Sequence, residues 1–443
     1  MGLDEQRPVT MLSGGLGAGK TTLVNQLLTE AGQQYDIAVL VNDVGEINID
    51  ADLIESGSEL SMDDGVTELS NGCICCGLQS ELDQELIRLA MKRSFDYLVI
   101  EPSGISDPAP IAQRFVSPGR ASTLYDLDTI ATVVDAAQFH RVFVDGEAVT
   151  PTQDETRPLS ELLAEQVEFC DVVVLNKCDL VSDAERAAVE NVLETLHPGV
   201  DIVRTTDGAV DPETVLGTGR FDATEARAAA RWKQELSDDH EKTDAEGHAH
   251  QSTDEYHYHG DAHSHDDDDD HGDTNEHGEH HDHRHPPEEF GVDSFVFERQ
   301  RPFHPERFVE WLRSFPEAVI RAKGHLWVAG RERYALDLSQ AGPEIHVTVN
   351  GRWVASLPED QQETYREQRP TMNWDAEWGD RETALVFIGS EMNQTAITES
   401  LTDCLVDDEE WDGGWNPVEN RFPGQRSESQ PPTEQQLVIQ RQH

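Results

Sequence analysis

A glycine-rich segment near the amino terminus has the residue types and spacing of a phosphate-binding loop. After the apolar run 9–12, residues 14–21 match the pattern G-x-x-x-x-G-K-[ST]. In this pattern glycine backbone N–H groups surround the phosphates, the lysine reaches the outer phosphates, and the hydroxyl binds Mg²⁺. The predicted nucleotide-binding residues are Gly14, Gly15, Gly17, Gly19, Lys20, Thr21 and Thr22, with Thr21 as the Mg²⁺ ligand.

Two further candidate catalytic residues follow the apolar run 97–100. Glu101 leaves a predicted buried strand, where a carboxylate can hold Mg²⁺ through water or position an attacking water. Gly104 would let the backbone approach the terminal phosphate. The alternative is a strand-end glutamate without a chemical role. Together with Lys20, these two residues form the predicted catalytic set.

The tetrapeptide Asn176-Lys177-Cys178-Asp179 follows a third apolar run, 172–175. It matches N-K-x-D, the guanine-reading pattern of GTPases. The Asp179 carboxylate can accept both the ring N–H and the exocyclic amine of guanine, and adenine does not offer that pair. Asn176 would support the base and the Lys177 side chain would lie over it. The pattern predicts GTP rather than ATP.

Three thiols within four residues, Cys73, Cys75 and Cys76, indicate a metal site. A second cysteine pair, as in structural zinc ribbons, is absent from the sequence around them. Such an incomplete thiolate site suits a soft or borderline ion that is held for transfer. Asp43 and Glu46 are further candidate ligands, with a plain acidic loop as the alternative. Thiolate with imidazole permits Zn²⁺, Co²⁺ and Ni²⁺, and the affinity order of these ions does not choose among them.

Thirteen of the 19 histidines lie between His240 and His285, in a stretch rich in aspartate. Flexible imidazoles at high local concentration favour metal buffering. A polar spacer is the alternative. No single histidine in this tract can be assigned as a ligand.

Composition argues against nucleic-acid binding and indicates a cytoplasmic protein. The formal net charge of −55 argues against nucleic-acid binding, because phosphate would be repelled over most of the surface. Only six of the 33 basic residues are lysine, and the even acidic coat indicates a halophile-like, high-salt cytoplasm. The sequence shows neither a signal peptide nor a long apolar run, so we expect a cytoplasmic protein without membrane association.

Strand-like apolar runs that alternate with amphipathic segments predict an α/β fold. We expect a P-loop NTPase domain over residues 1–237, with a mainly parallel sheet flanked by helices. Residues 238–289 form a predicted disordered, metal-binding His/Asp-rich linker. Residues 290–405 should form a smaller α+β domain, with strands at 292–297, 319–322, 325–328, 345–349 and 384–388. The acidic, polar tail 406–443 is predicted to be disordered.

The ordered motifs GGLGAGKTT, VNDVGEINID, ELSNGCICCGL, YLVIEPSGISDP, TVVDA and VVVLNKCDLV resemble the CobW family of metal-handling P-loop GTPases, relatives of UreG and HypB. Residues 290–405 resemble the carboxy-terminal domain of that family. The resemblance implies that GTP binding shapes a site in which the CxCC cysteines hold Zn²⁺, Co²⁺ or a similar ion. The family's usual Asn-Glu-Phe-Gly-Glu reads Asn-Asp-Val-Gly-Glu at 42–46, so the shorter Asp43 would weaken or reposition any metal contact there.

The leading hypothesis is a GTP-hydrolysing metallochaperone that delivers its ion to an unidentified client metalloprotein, with a possible nucleotide-dependent dimer. One alternative is a nucleotide-gated metal store or sensor. The other is a small-molecule kinase, against which the N-K-x-D pattern argues.

Overall fold

A computed structural model describes residues 6–32, 34–41, 66–68, 79–92, 94–148, 157–222, 292–369, 372–412, 420–424 and 436–441. Within these residues, no helix is both long enough and apolar enough to cross a membrane. The predicted linker 238–289 lies outside the described residues.

The amino-terminal domain is built on a seven-stranded sheet. Its strands are β1 (Arg7–Gly14), β2 (Ile37–Val41), β3 (Val66–Glu68), β4 (Tyr97–Glu101), β5 (Tyr125–Asp135), β6 (Val172–Asn176) and β7 (Asp201–Arg204). The strand order is β3-β2-β4-β1-β5-β6-β7, and every neighbouring pair is parallel. The carboxyl ends of β1, β4 and β6 therefore meet at one edge of the sheet, where parallel sheets bind their ligands.

Helices cover both faces of this sheet. They are α1 (Lys20–Ala31), α2 (Gln79–Lys92), α3 (Pro108–Val116), α4 (Arg120–Leu124), α5 (Ala136–Phe143), α6 (Leu159–Glu168) and α7 (Asp183–Leu196), with 3₁₀ turns at Cys178–Leu180 and Pro212–Thr214. On one face Leu23 and Leu27 of α1 pack against Leu12 and Val99. The other helices pack on the opposite face, and the strands are apolar on both sides because both sides are covered.

Local sequence signals explain where several helices begin. The α7 helix starts after Ser182, whose hydroxyl accepts the backbone N–H of Glu185, while the Glu185 carboxylate accepts the N–H of Ser182. This reciprocal capping box satisfies two backbone donors that a helix start otherwise leaves unpaired. At α3, the Asp107 carboxylate caps the first turn and Pro108 occupies a first-turn position that needs no N–H partner.

The carboxy-terminal domain is a six-stranded antiparallel sheet with helices. Its strands are β8 (Asp293–Arg299), β9 (Val319–Leu326), β10 (Tyr334–Ala341), β11 (Glu344–Arg352), β12 (Thr383–Gly389) and β13 (Gln436–Gln440). The strand order is β13-β11-β10-β9-β12-β8. The helices are α8 (Pro305–Arg313), α9 (Glu359–Gln368), α10 (Gln394–Thr402) and α11 (Asp408–Asp412), with a 3₁₀ turn at Val354–Ser356.

One face of the antiparallel sheet forms a separate aromatic core. Phe297, Phe303, Phe308 and Phe387 are all at most 2 % exposed, and Phe303 stacks on Phe308 with ring centroids 4.0 Å apart. The α8 and α10 helices close this core with Phe308 and Leu401. The predicted fold class, a P-loop domain with a parallel sheet and a smaller α+β domain, is confirmed.

Two predictions in the carboxy-terminal part are wrong. The predicted strands 319–322 and 325–328 are one strand, β9, which runs through Gly324. A Cβ at Gly324 would lie 2.1 Å from the Ala384 carbonyl oxygen of β12, so glycine is required inside this strand rather than at a break.

The predicted disordered tail is also ordered in part. Strand β13 pairs with the outer edge of β11, opposite residues 344–348, and buries Ile439 to 8 % exposure. Arg441 then donates hydrogen bonds to the carbonyl oxygens of Pro316 and Val319. A free sheet edge with unpaired N–H and C=O groups is a strong template for such a segment, even one that follows a polar stretch.

Candidate functional site

The phosphate loop joins the end of β1 to the start of α1. Gly14, Gly17 and Gly19 adopt positive φ angles of 138°, 73° and 107°, which favour glycine. The Lys20 ammonium is buried and donates to the carbonyl oxygens of Gly14 and Gly15 at 3.0 and 3.1 Å. Backbone N–H groups at the start of α1 and the lysine ammonium thus lie together, as an anion site requires.

A hydroxyl and a carboxylate meet beside this loop. The Thr21 hydroxyl lies 3.1 Å from Oε1 of Glu101, the last residue of β4, and Glu101 is 2 % exposed. Hard oxygen atoms placed side by side next to a phosphate site fit the preference of Mg²⁺. Thr22, in contrast, has an exposed side chain.

Gly104 lies against the phosphate loop. A Cβ at this position would be 2.7 Å from the backbone nitrogen of Leu16, so only glycine permits the approach. The loop 103–106 that follows Glu101 is therefore in direct contact with the glycine-rich turn. The residues predicted from separate motifs, Lys20, Thr21, Glu101 and Gly104, lie in one place.

The N-K-x-D residues follow β6 at the same edge of the sheet. Asn176 donates to the Ala18 carbonyl oxygen at 2.9 Å and accepts the Gly208 N–H at 3.1 Å. A Cβ at Gly19 would lie 2.3 Å from Nδ2 of Asn176, so this asparagine packs directly on the phosphate loop.

Lys177 and Asp179 complete this side of the site. Lys177 adopts a left-handed backbone conformation, with φ of 58°, and its ammonium donates to the Gly17 carbonyl oxygen at 2.6 Å and to Asp135 at 2.7 Å. Asp179 lies in the 3₁₀ turn Cys178–Leu180 with an exposed side chain. The arrangement presents a carboxylate at the rim and a lysine stem across the loop, as a guanine site needs.

Comparison with known proteins identifies the family. Residues 8–204 match the model described as CobW/HypB/UreG, nucleotide-binding domain, and residues 292–405 match the cobalamin synthesis protein cobW C-terminal domain. The chain is 34 % identical over 431 residues to zinc-regulated GTPase metalloprotein activator 1 of Dictyostelium discoideum. This alignment covers 92 % of this chain and 81 % of that protein. The chain belongs to the CobW family.

Two other similarities are with a curated protein and with a solved structure. The chain is 35 % identical over 224 residues to zinc chaperone CobW of Pseudomonas aeruginosa, across 47 % of this chain and 59 % of that protein. The crystal structure of Zn(II)-bound YjiA GTPase from E. coli aligns with a TM-score of 0.37 and 20 % identity, over 91 % of this chain and 100 % of that one. As a CobW-family member, the chain is a metal-handling GTPase.

The sequence motifs did not predict three residues that support the nucleotide site of this CobW-family protein. Asp135, at the end of β5, pairs with Lys177 and also caps α5 through the Gln138 N–H. Gly208, after β7, supports Asn176. Gln166 of α6 donates to the carbonyl oxygens of Gly104 and Ser106. The aspartate of TVVDA was visible in the sequence, but no spacing rule indicated Gln166 or Gly208.

The predicted metal ligands Cys73, Cys75, Cys76, Asp43 and Glu46 lie outside the described residues, as do His240–His285. Within the part of the chain that the structure describes, no three histidine, cysteine or acidic side chains cluster as a metal site. Cys170 and Cys404 are buried, and burial raises the pKa of Cys404 to about 11, so this thiol stays protonated and is a poor ligand.

Proposed function

We propose that this CobW-family protein is a metallochaperone that couples GTP hydrolysis to the binding and delivery of a transition metal. The observation that carries the proposal is the attachment of the cysteine-bearing segment to the nucleotide site. The chain leaves the sheet at Glu68 of β3, which pairs with Val41 of β2, and Val41 in turn pairs with Glu101. The next described element after β3 is helix α2, which begins at Gln79. A CxCC motif between these two anchors is joined on both sides to the nucleotide domain.

We assign hydrolysis to the residues around the phosphate loop. Lys20 would bind the outer phosphate oxygens, and backbone N–H groups at Gly14, Gly15, Gly17 and Gly19 would surround them. The Gly104 backbone would face the terminal phosphate. Glu101 would orient the attacking water or a metal-bound water.

The proposed Mg²⁺ site is formed by the Thr21 hydroxyl and the Glu101 carboxylate. The Thr21 hydroxyl would be a direct ligand, and Glu101 would hold the ion through water, because their oxygens already lie 3.1 Å apart. When bound, Mg²⁺ would neutralise charge on the phosphate oxygens.

We assign base recognition to Asn176, Lys177 and Asp179. The exposed Asp179 carboxylate would accept two guanine N–H groups, and the Lys177 stem would lie against the ring while its ammonium remains on Gly17 and Asp135. Asn176 holds the loop by its two backbone hydrogen bonds. Since both oxygens of Asp179 would be used as acceptors, GTP is favoured over ATP.

We assign the cargo to the thiolates of Cys73, Cys75 and Cys76, with Asp43 or Glu46 as further ligands. Thiolates favour Zn²⁺ over hard ions such as Mg²⁺ and also accept Co²⁺. Zn²⁺ is our first choice, because the named relatives include a zinc-regulated activator and a zinc chaperone. Delivery would be to a client metalloprotein in the cytoplasm, and dimerisation in the GTP state would be one way to gate it.

The tract 240–285 is proposed to buffer metal rather than to form the transfer site. Its deletion should leave folding, GTP turnover and one tight metal site intact, since the segment has too few apolar residues to belong to either core. Several weaker metal sites should disappear. In the full chain, these sites are the ones that lose metal affinity when the pH is lowered below about 6, because imidazoles then become protonated. Metal titration at two pH values would measure both classes.

A matched control replaces the thirteen histidines of this tract by asparagine and keeps its length and carboxylates. It should behave as the deletion does. If either variant unfolds or loses the tight site, the tract is part of the structure or of the primary ligand set, and the separation of buffer from transfer site is wrong.

The experiment that tests the proposed function is a comparison of metal affinity between nucleotide states. Coupled binding and hydrolysis require the GTP and GDP states to differ in affinity for the cargo ion. A passive store would bind the ion equally in both.

A further inference from the structure

Helix α6 touches the nucleotide site with one side. Gln166 is 1 % exposed, and its Nε2 donates to the carbonyl oxygens of Gly104 and Ser106 at 3.4 and 3.3 Å. One turn earlier, Leu163 lies 3.1 Å from the point where a Cβ of Gly15 would be. The helix thus contacts both the phosphate loop and the loop 103–106 that follows Glu101.

The opposite side of α6 carries three carboxylates, and each of them meets the antiparallel sheet of the carboxy-terminal domain. Their partners in the sheet lie on β9 and β10, while Arg157, just before α6, also donates to Glu165 at 2.6 Å and to Glu161 at 3.4 Å. The pairs are Arg321 Nε with Glu168 Oε1 at 2.9 Å, Lys323 Nζ with Glu165 Oε1 at 2.9 Å, and Ser339 Oγ with Glu161 Oε1 at 2.8 Å. One short helix therefore joins the phosphate side of the first domain to the sheet of the second.

This joint contains a buried charge. The Arg321 side chain is 1 % exposed and the Glu168 side chain 8 %. Burial alone would lower the pKa of Arg321, but Glu168, Glu161 and Glu165 hold that pKa above its ordinary value, so the guanidinium stays charged. A buried cation of this kind tolerates little movement away from its carboxylates, since an unpaired buried charge is very unfavourable.

At the other end of α6, the hydrogen bonds of Gln166 to loop 103–106 are weak. Among the described residues, Oε1 of Gln166 is buried and accepts no hydrogen bond, and both hydrogen bonds from Nε2 are long. Buried side-chain amides usually have a partner for each polar atom. A second position of loop 103–106, in which Gln166 is better paired, would remove this cost.

We propose that Gln166 is a positioning residue for GTP turnover and that α6 links loop 103–106 to the ion cluster Glu161–Glu165–Glu168–Arg321–Lys323. The position of loop 103–106 and the contact between α6 and the carboxy-terminal sheet are then coupled. Because such coupling is reciprocal, a change in the ion cluster alters the nucleotide site, and the nucleotide state alters the sheet contact. The inference rests on the proposed position of Gly104 beside the terminal phosphate.

The first test measures kcat and KM for GTP without added transition metal. Lys323→Met removes a half-buried charge at the cluster, and Arg313→Met is its control, because the ion pair of Arg313 is with Glu310 of the same helix, α8. We expect Lys323→Met to lower kcat about fivefold with KM unchanged, and Arg313→Met to change neither. Equal behaviour of the two variants would overturn the inference.

The second test asks whether the two ends of the helix act together. Gln166→Leu loses both hydrogen bonds to loop 103–106 and should lower kcat about tenfold. In the double variant with Lys323→Met, kcat should equal that of Gln166→Leu alone, because the link is already broken. Fold-changes that multiply would show two independent sites and contradict the proposal.

A third measurement needs no variant and remains valid if Gln166→Leu fails to fold. Amide hydrogen exchange of β9 and β10 is compared in the wild-type chain with GDP and with a non-hydrolysable GTP analogue. The exchange rates should differ between the two states, whereas identical rates would exclude the link. None of these measurements involves the cargo ion, so a failure of the metallochaperone proposal would be seen separately.

Discussion

Replacing Cys75 and Cys76 together by serine should abolish tight, stoichiometric metal binding and any stimulation of GTP hydrolysis by metal. The free energy of Zn²⁺ binding to sites with four protein ligands is about 10–16 kcal/mol, so each ligand contributes about 3 kcal/mol. Loss of two thiolates should therefore lower the affinity by roughly four orders of magnitude. Serine is similar in size but is a far weaker ligand for a borderline ion. Competition with a coloured chelator at neutral pH measures the affinity directly.

Basal GTP binding should survive in this variant, because Lys20, Thr21 and Asn176 are not changed. The matched control is Cys404→Ala, which removes a buried thiol of high pKa in the other domain and should leave metal affinity as it is. Unchanged affinity in the double serine variant would refute the CxCC site. An equal loss in the Cys404 control would point to general instability instead.

Asp179→Asn should weaken GTP binding and relax the preference for guanine toward xanthine. The carboxylate would accept two N–H groups of guanine, and an amide replaces one acceptor by a donor that suits the xanthine carbonyl. A paired contact of this type contributes about 1–3 kcal/mol, or roughly 5- to 150-fold in affinity. Fluorescent-nucleotide competition with GTP, XTP and ATP would measure the change.

Asp183→Asn provides the control for this substitution. Asp183 also has an exposed carboxylate, but it pairs with Arg186 at the start of α7 and is not part of N-K-x-D. Its replacement should leave the order GTP over XTP and ATP as in the wild type. If the intact protein already binds GTP and ATP equally well, the assignment of Asn176–Asp179 to base recognition is wrong.

The parallel sheet and the positions of the nucleotide motifs could be predicted because each signal is local. Buried parallel strands are apolar along their whole length, and Lys20, Glu101 and Asn176 each follow such a run. Parallel pairing brings their carboxyl ends to one edge without any further information. The hydrogen bond between Thr21 and Glu101, 80 residues apart in sequence, follows from that geometry.

Features that depend on a distant partner could not be predicted. Gln166 looks like any polar residue of an amphipathic helix, and only the fold brings it to Gly104, 62 residues earlier. Strand β13 follows a polar stretch, and its pairing depends on the open edge of β11. The sequence predicts separate strands at 319–322 and 325–328, whereas β9 continues through Gly324, where the close approach of Ala384 leaves no room for a side chain.

The most direct test of the central claim is the Zn²⁺ affinity of the wild-type protein, measured by chelator competition with GDP and with a non-hydrolysable GTP analogue. Coupling between the nucleotide and metal sites predicts at least about a fivefold difference between the two states. The Cys75, Cys76 double serine variant should show no tight site in either state. Equal Zn²⁺ affinity in both nucleotide states of the wild type would contradict a GTP-driven metallochaperone and support a passive metal store.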